Sequence, residues 1–262
     1  MDDDVLNEFI NESREHLATI EADLLTIEEA GSNLLTRFGQ IVYLFFMLTP
    51  PESLVERAWN RGLEVGRFKA IDDTLAHAVE AYSGMPELFF TWVRRMDKRV
   101  HFEFLDNTVP LGERPLTAAF GSNAILNVLD VRRLIDVRRY QRIDVNAREP
   151  AQIFPDPEQL AAERNLSFLR DCTVRFHEMN FAEQSSGRIY LQLRDGRPAW
   201  VDSEALERAV RDADTHAGLR AIAADAFEFP TPESTEPRWL RDVVDALPVH
   251  TLGRWGDARQ PR

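Results

Sequence analysis

The chain has 262 residues, 44% hydrophobic and 29% charged, enough for one large core or two ordinary ones. A net charge of −13 argues against a general nucleic-acid-binding surface. The single cysteine, Cys172, rules out an internal disulfide and a cysteine-built metal cage and, with the acidic start "MDDDVLNEF", sets the expectation of a reducing, cytoplasmic location.

Residues 4–29 carry Leu6, Phe9, Ile10, Ser13, Leu17, Ile20, Leu24 and Ile27 at spacings of three and four, which predicts a long amphipathic helix. Asp2, Asp3 and Asp4 sit at its start, where the helix dipole favours them, and Gly31 and Ser32 end it. The most apolar run, "LLTRFGQIVYLFFML" at 34–48, is interrupted by Arg37 and Gln40 and closed by Pro50 and Pro51. It falls short of the roughly 20 residues a membrane span needs. The expectation is therefore a buried core helix and no stable membrane insertion. Helices over 52–68, 70–82 and 86–96 follow, with Pro51 and Pro86 as first-turn prolines and Gly84 as a stop. Residues 1–96 read as an acidic helical bundle.

"RVHFEFLD" at 99–106 predicts a strand. Residues 116–137 predict a helix with Leu116, Phe120, Ala124, Val128, Val131 and Ile135 as its stripe. Both fall in a connecting segment, 97–136. From Tyr140 the period becomes two: "YQRIDVNA", "AQIF", "CTVRFHE", "RIYLQL" and "RPAWVD" read as short strands, with a helix over 156–171 inserted. Asp195-Gly196 marks a hairpin turn. Five such strands predict a small antiparallel β-barrel over 137–203, followed by helices over 204–262. The expected class is thus α+β, a helical bundle and then a barrel. The five tryptophans, Trp59, Trp92, Trp200, Trp239 and Trp255, read as core and interdomain packing.

Arginine dominates the cations, since lysine occurs only at Lys69 and Lys98. In "DVRRYQRIDV" (136–145), Arg138, Arg139 and Arg142 crowd the lip of the first predicted barrel strand. One reading pairs them with Asp130, Asp136 and Asp144 on the surface, at under about 1 kcal/mol each. The other has them await an anion. The stretch resembles the start of a PilZ domain, the bacterial receptor family for cyclic di-GMP, whose R-x-x-x-R motif falls here on Arg138 and Arg142, with Arg139 adjacent. Paired guanidiniums grip a phosphate or a guanine edge in a bidentate way that lysine cannot. The family's second motif, [D/N]-x-S-x-x-G, is degenerate in "MNFAEQSSGRIYLQL". Counted from Asn180, Ala182 and Ser185 stand at its serine and glycine positions; Asn180, Ser185 and Gly187 would carry it across an insertion.

Residues 2–29 are similar to the first helix of the histidine phosphotransfer domain of chemotaxis kinases, and "LAHAVE" (75–80) echoes a later one. That family's H-x-x-K-G is absent, and His16 and His77 fall at non-phosphorylated positions. The resemblance implies a bundle that docks a protein partner without phosphotransfer chemistry. Catalytic patterns are thin. "HEMNF" (177–181) has Phe181 where a zinc protease needs its second histidine, and no nucleotide-binding glycine loop or nucleophile elbow occurs. The resemblances together imply a non-enzymatic signalling protein without a cofactor, which binds cyclic di-GMP and relays to a protein partner. The alternatives are a structural interaction module with a degenerate barrel that binds no nucleotide, or a phosphorelay-like helical bundle lacking its phosphoacceptor.

Overall fold

The computed structural model describes residues 41–110, 112–154, 160–228 and 236–244. The chain divides at Val42/Tyr43, and nearly all described residues belong to the second unit. Among them, seven strands form one sheet whose spatial order is the chain order. β1 (Ile41–Leu48) is followed by α1 (Pro51–Val65) and α2 (Ile71–Val93). β2 (Arg99–Asp106), β3 (Leu116–Ser122) and β4 (Ile125–Val128) form an antiparallel run. Next come α3 (Val131–Arg139), α4 (Ser167–Arg175) and β5 (Glu178–Ala182), which pairs parallel with β4. β6 (Ile189–Arg194) and β7 (Arg197–Val201) complete the sheet antiparallel. α5 (Ser203–Ala209), α6 (Ala213–Ala223) and α7 (Leu240–Val244) close the order.

One face of the sheet is apolar and covered by helices. Phe89 of α2 is fully buried and meets the rings of Phe46, Phe102, Phe104, Phe168 and Phe176 at 4.8 to 6.0 Å. It joins β1 and β2 to α4. The stacked pairs Tyr43–His101 and Phe46–Phe104 advance together along β1 and β2, so those strands run the same way. Each parallel pair, β1–β2 and β4–β5, is therefore bridged by a crossover of two helices, as parallel pairing requires. α3, α4 and α6 pack around Gly218, where a Cβ would come within 2.9 Å of Val131 and 3.2 Å of Ile135.

The architecture is a mixed α/β sheet with helices. The sheet runs open from β1 to β7 and does not close into a barrel. Several sequence expectations change. Residues 41–48 are a strand rather than part of a core helix: Tyr43, Phe45 and Met47 are exposed while Phe46 and Leu48 are buried, the alternation of a pleated edge. An apolar run of this length is compatible with either element until it is paired. Residues 116–137 are two strands and a short helix, because Gly121 admits a tight β3–β4 turn; a Cβ there would lie 2.0 Å from the Ile125 carbonyl oxygen. Residues 97–136 are thus the middle of the sheet rather than a connector. "CTVRFHE" is mostly the end of α4, and the strand begins only at Glu178. The Asp195-Gly196 hairpin is found as expected, with both residues at positive φ.

α2 runs unbroken through Gly84 and Pro86. A proline inside a helix removes the N–H that would bond the carbonyl four residues earlier. That carbonyl, of Tyr82, accepts instead from Gln141 Nε2 at 2.8 Å. The expected helix over 4–29 and the first residues of that over 156–171 lie outside the described residues.

Candidate functional site

The stretch "DVRRYQRIDV" is helical rather than the lip of a strand. Asp130 caps α3 by accepting from the Arg132 amide at 3.0 Å, and the helix passes at Tyr140–Arg142 into a 3-10 turn. Val131, Leu134, Ile135 and Val137 are buried, and the arginines emerge at the helix end, where cations suit the dipole. Each arginine is engaged within the fold. Arg138 pairs with Asp171 at 3.2 Å. Arg139 reaches Asp136 at 3.5 Å and lies 4.2 Å from the centre of the Phe154 ring. Arg142 donates to the Arg138 carbonyl at 3.4 Å and to Asn165 Oδ1. Of the three carboxylates expected to pair with them, only Asp136 does so. Asp130 holds Arg132, and Asp144 accepts from the Asn146 amide.

Beneath the arginines lies a buried ion network. Asp136, with 1% of its side chain exposed, meets Arg133 at 2.7 Å, and Arg133 meets Asp106 at 3.1 Å. Burial pushes the Asp136 carboxyl above its ordinary value, against the pull of Arg133 and Arg139. Tyr140 packs edge-on against Tyr82 at 5.0 Å, which fastens the stretch to α2.

Asn180, Ser185 and Gly187 lie elsewhere. Met179 pairs with Leu126 and Leu193, and through Gly121 and Phe102 this register leads to the helix-covered face. Its neighbour Asn180 therefore points to the opposite face. There Asn180 Nδ2 donates to Asn127 Oδ1 at 3.0 Å and Glu178 Oε1 at 2.9 Å. Its own Oδ1 accepts from Gln192, whose Oε1 accepts from Arg238 at 2.9 Å. This polar ladder stitches β4, β5 and β6 to the chain before α7. Ser185 and Gly187 occupy the β5–β6 turn, where Gly187 takes φ 72° and donates to the Glu183 carbonyl at 2.7 Å. The sheet thus lies between the three arginines and Asn180, and the six residues are not brought together.

A different group of cations does converge. α1 ends at Gly66 with φ 71°, whose amide bonds the Gly62 carbonyl at 2.8 Å. The chain then turns back along its own helix, and Phe68 lies on the bare backbone of Gly62; a Cβ at 62 would come 2.5 Å from the Phe68 ring. This return forms an open concavity of about 700 Å³ lined by Arg57, Ala58, Arg61, Val65, Arg67 and Lys69. Arg57 Nη2 donates to the carbonyls of Asn107 and Val109, both at 2.9 Å, which fixes α1 to the end of β2. Trp59 meets Phe68 at 4.9 Å, and both rings are more than half exposed. The sequence reading placed Trp59 in a core. The signal that it missed was the density of cations at 57–69, four against Glu64 alone, in an otherwise acidic chain.

Among the described residues, no group of three or more His, Cys, Asp or Glu is arranged to hold a metal ion, and no helix is long and apolar enough to cross a membrane. Of "HEMNF", His177 pairs with Asp195 at 2.8 Å, while Met179 and Phe181 are core residues. Cys172 is fully buried on α4, and burial pushes its thiol well above the ordinary value. Compared with known proteins, the chain matches no family model, no curated protein and no solved structure.

Proposed function

We propose that this protein is a non-enzymatic protein-interaction module, in preference to a cyclic di-GMP receptor. The observation that carries this reading is the internal use of the arginine stretch: a dinucleotide at Arg138 and Arg142 must displace Asp171 and Asn165, and finds no help from Asn180 across the sheet. A ligand shifts a protein only by its differential contacts, and here those contacts begin by breaking existing ones. Exposed apolar side chains supply the positive support. Trp59, Leu63, Val65 and Phe68 on α1 and its exit, with Ile71 beginning α2, are each 43 to 63% exposed. The Trp59 and Phe68 rings meet at 4.9 Å and form an exposed apolar pair, the kind of surface that an interaction site uses.

Calorimetry with cyclic di-GMP at high micromolar concentration tests the choice. The expected result is no saturable heat. Saturable binding that both Arg138→Ala and Arg142→Ala weaken by about tenfold or more would restore the receptor reading.

A further inference from the structure

We infer that the outer edge of β1 pairs with the same edge of a second copy of this chain, antiparallel and across a twofold axis at Phe45, so that Tyr43 of each copy lies opposite Met47 of the other. β1 ends the sheet, and among the described residues only β2 pairs with it. The Asn107 amide, just past β2, donates to the Leu48 carbonyl at 2.8 Å, so the backbone groups of Leu48 point toward β2. Alternation along the strand then turns the amides and carbonyls of Tyr43, Phe45 and Met47 outward. The side chains of the same three residues are 40, 47 and 41% exposed. A long apolar edge with its backbone groups unpaired is a template for another strand.

The two ends of the sheet differ in kind. β7 opens with Arg197 and Pro198, a charge and a residue without an amide, both of which keep an edge unpaired. β1, "IVYLFFML", holds no charge, proline or glycine. Its outward residues are placed symmetrically about Phe45, which is the pattern a second copy needs. In an antiparallel ladder, residues that exchange both bonds lie opposite each other. Phe45 then meets itself and Tyr43 meets Met47 on either side, with about six hydrogen bonds in all. Opposed side chains share a face, and here they are apolar, with no like charges to repel. Because both copies use β1 and β7 is blunted, the assembly closes at a dimer. β1 lies apart from the Trp59–Phe68 pair on α1, so the dimer does not depend on that surface.

The area suits a reversible dimer. The eight residues of β1, at about 3.3 Å each, make an edge roughly 26 Å long. Covered over a thickness of about 10 Å, and with the exposed parts of the three side chains, this edge comes to roughly 500 Å² per copy. The total of about 1,000 Å² is the lower bound for a specific interface, and about six hydrogen bonds fit that area. The strand is preset for pairing. Phe46 stacks on Phe104 at 4.8 Å on the helix-covered face, and Tyr43 stacks on His101 at 5.2 Å on the other.

Sedimentation velocity of the full chain, over a concentration series from micromolar to submillimolar, is expected to show monomer passing into dimer. Phe45→Lys sets two like charges opposite each other at the axis and removes an aromatic pair. It is expected to fold, since Phe45 is half exposed, and to dimerise about tenfold or more weakly. Trp59→Ala is expected to leave the dimer unchanged. A cross-link reads the register independently of any loss of folding in the lysine variant. Opposed Cα atoms in a hydrogen-bonded pair lie about 5.5 Å apart, within reach of a disulfide. Phe45→Cys is therefore expected to give a covalent dimer with oxidised glutathione on a non-reducing gel. Tyr43→Cys, which faces Met47, is expected to give none, and Cys172 is buried in both variants. A monomer at every concentration would overturn the proposal, the edge then being covered by the chain's own residues or left bare. A dimer that Phe45→Lys does not weaken, or that Trp59→Ala dissociates, would place the interface elsewhere. Equal cross-linking of Phe45→Cys and Tyr43→Cys would overturn the axis at Phe45.

Discussion

Arg133 shows how one side chain organises its neighbourhood. It joins Asp106 at the end of β2 to Asp136 on α3, and both carboxylates are buried. Removing one member of a buried ion network leaves charge without compensation, which costs more than the intact network contributes. Arg133→Met is therefore expected to destabilise the fold by about 3–5 kcal/mol, read from urea unfolding. A loss below about 1 kcal/mol would mean that the carboxylates are hydrated or protonated rather than held by the guanidinium. Cys172 makes the converse point. Its thiol is enclosed by α4 packing and pushed up by burial, so the thiolate that reacts is scarce. Ellman's reagent is expected to label it only after unfolding; prompt labelling of the native protein would contradict the burial.

At the level of elements, α2 and the turn after α3 depend on each other. Pro86 leaves the Tyr82 carbonyl without its helical donor, and Gln141 supplies one from a distant part of the chain. Gln141→Ala is expected to cost about 1–3 kcal/mol, the penalty for stranding a buried acceptor. In a Pro86→Ala background the helix regains its own amide donor, and the cost of Gln141→Ala should fall toward zero. Equal costs in the two backgrounds would uncouple the pair. The same coupling explains why "DVRRYQRIDV" was misleading. Its alternation at Ile143 and Val145 is genuine, but Tyr140 and Gln141 are committed to α2, and this fixes the segment as a helical turn.

For the molecule as a whole, one sheet takes strands from segments that composition separates. β1 lies within the residues expected to form a bundle, β2 to β4 within the expected connector, and β5 to β7 within the expected barrel. Limited proteolysis is therefore expected to spare 99–106 and 116–139, since cleavage needs backbone that can leave its ladder. An early cut inside β3 or α3 would show two separable units in place of a continuous sheet.

What the sequence determined by itself was local: the helical content of 51–93, the strand at 99–106, the Asp195-Gly196 hairpin and the helices after Ser203. Each rests on periodicity, a cap or a turn residue, all of which act within a few positions. Tertiary structure decided the rest. Whether "IVYLFFML" became helix or strand depended on β2 as its partner, and whether Arg138 and Arg142 faced solvent or Asp171 and Asn165 depended on α4 and the turn before it. The clustering of Arg57 and Arg61 with Arg67 and Lys69 required the chain to reverse at Gly66. Pairing and burial act between residues far apart in the chain, and linear spacing carries no record of which distant group will supply the missing partner.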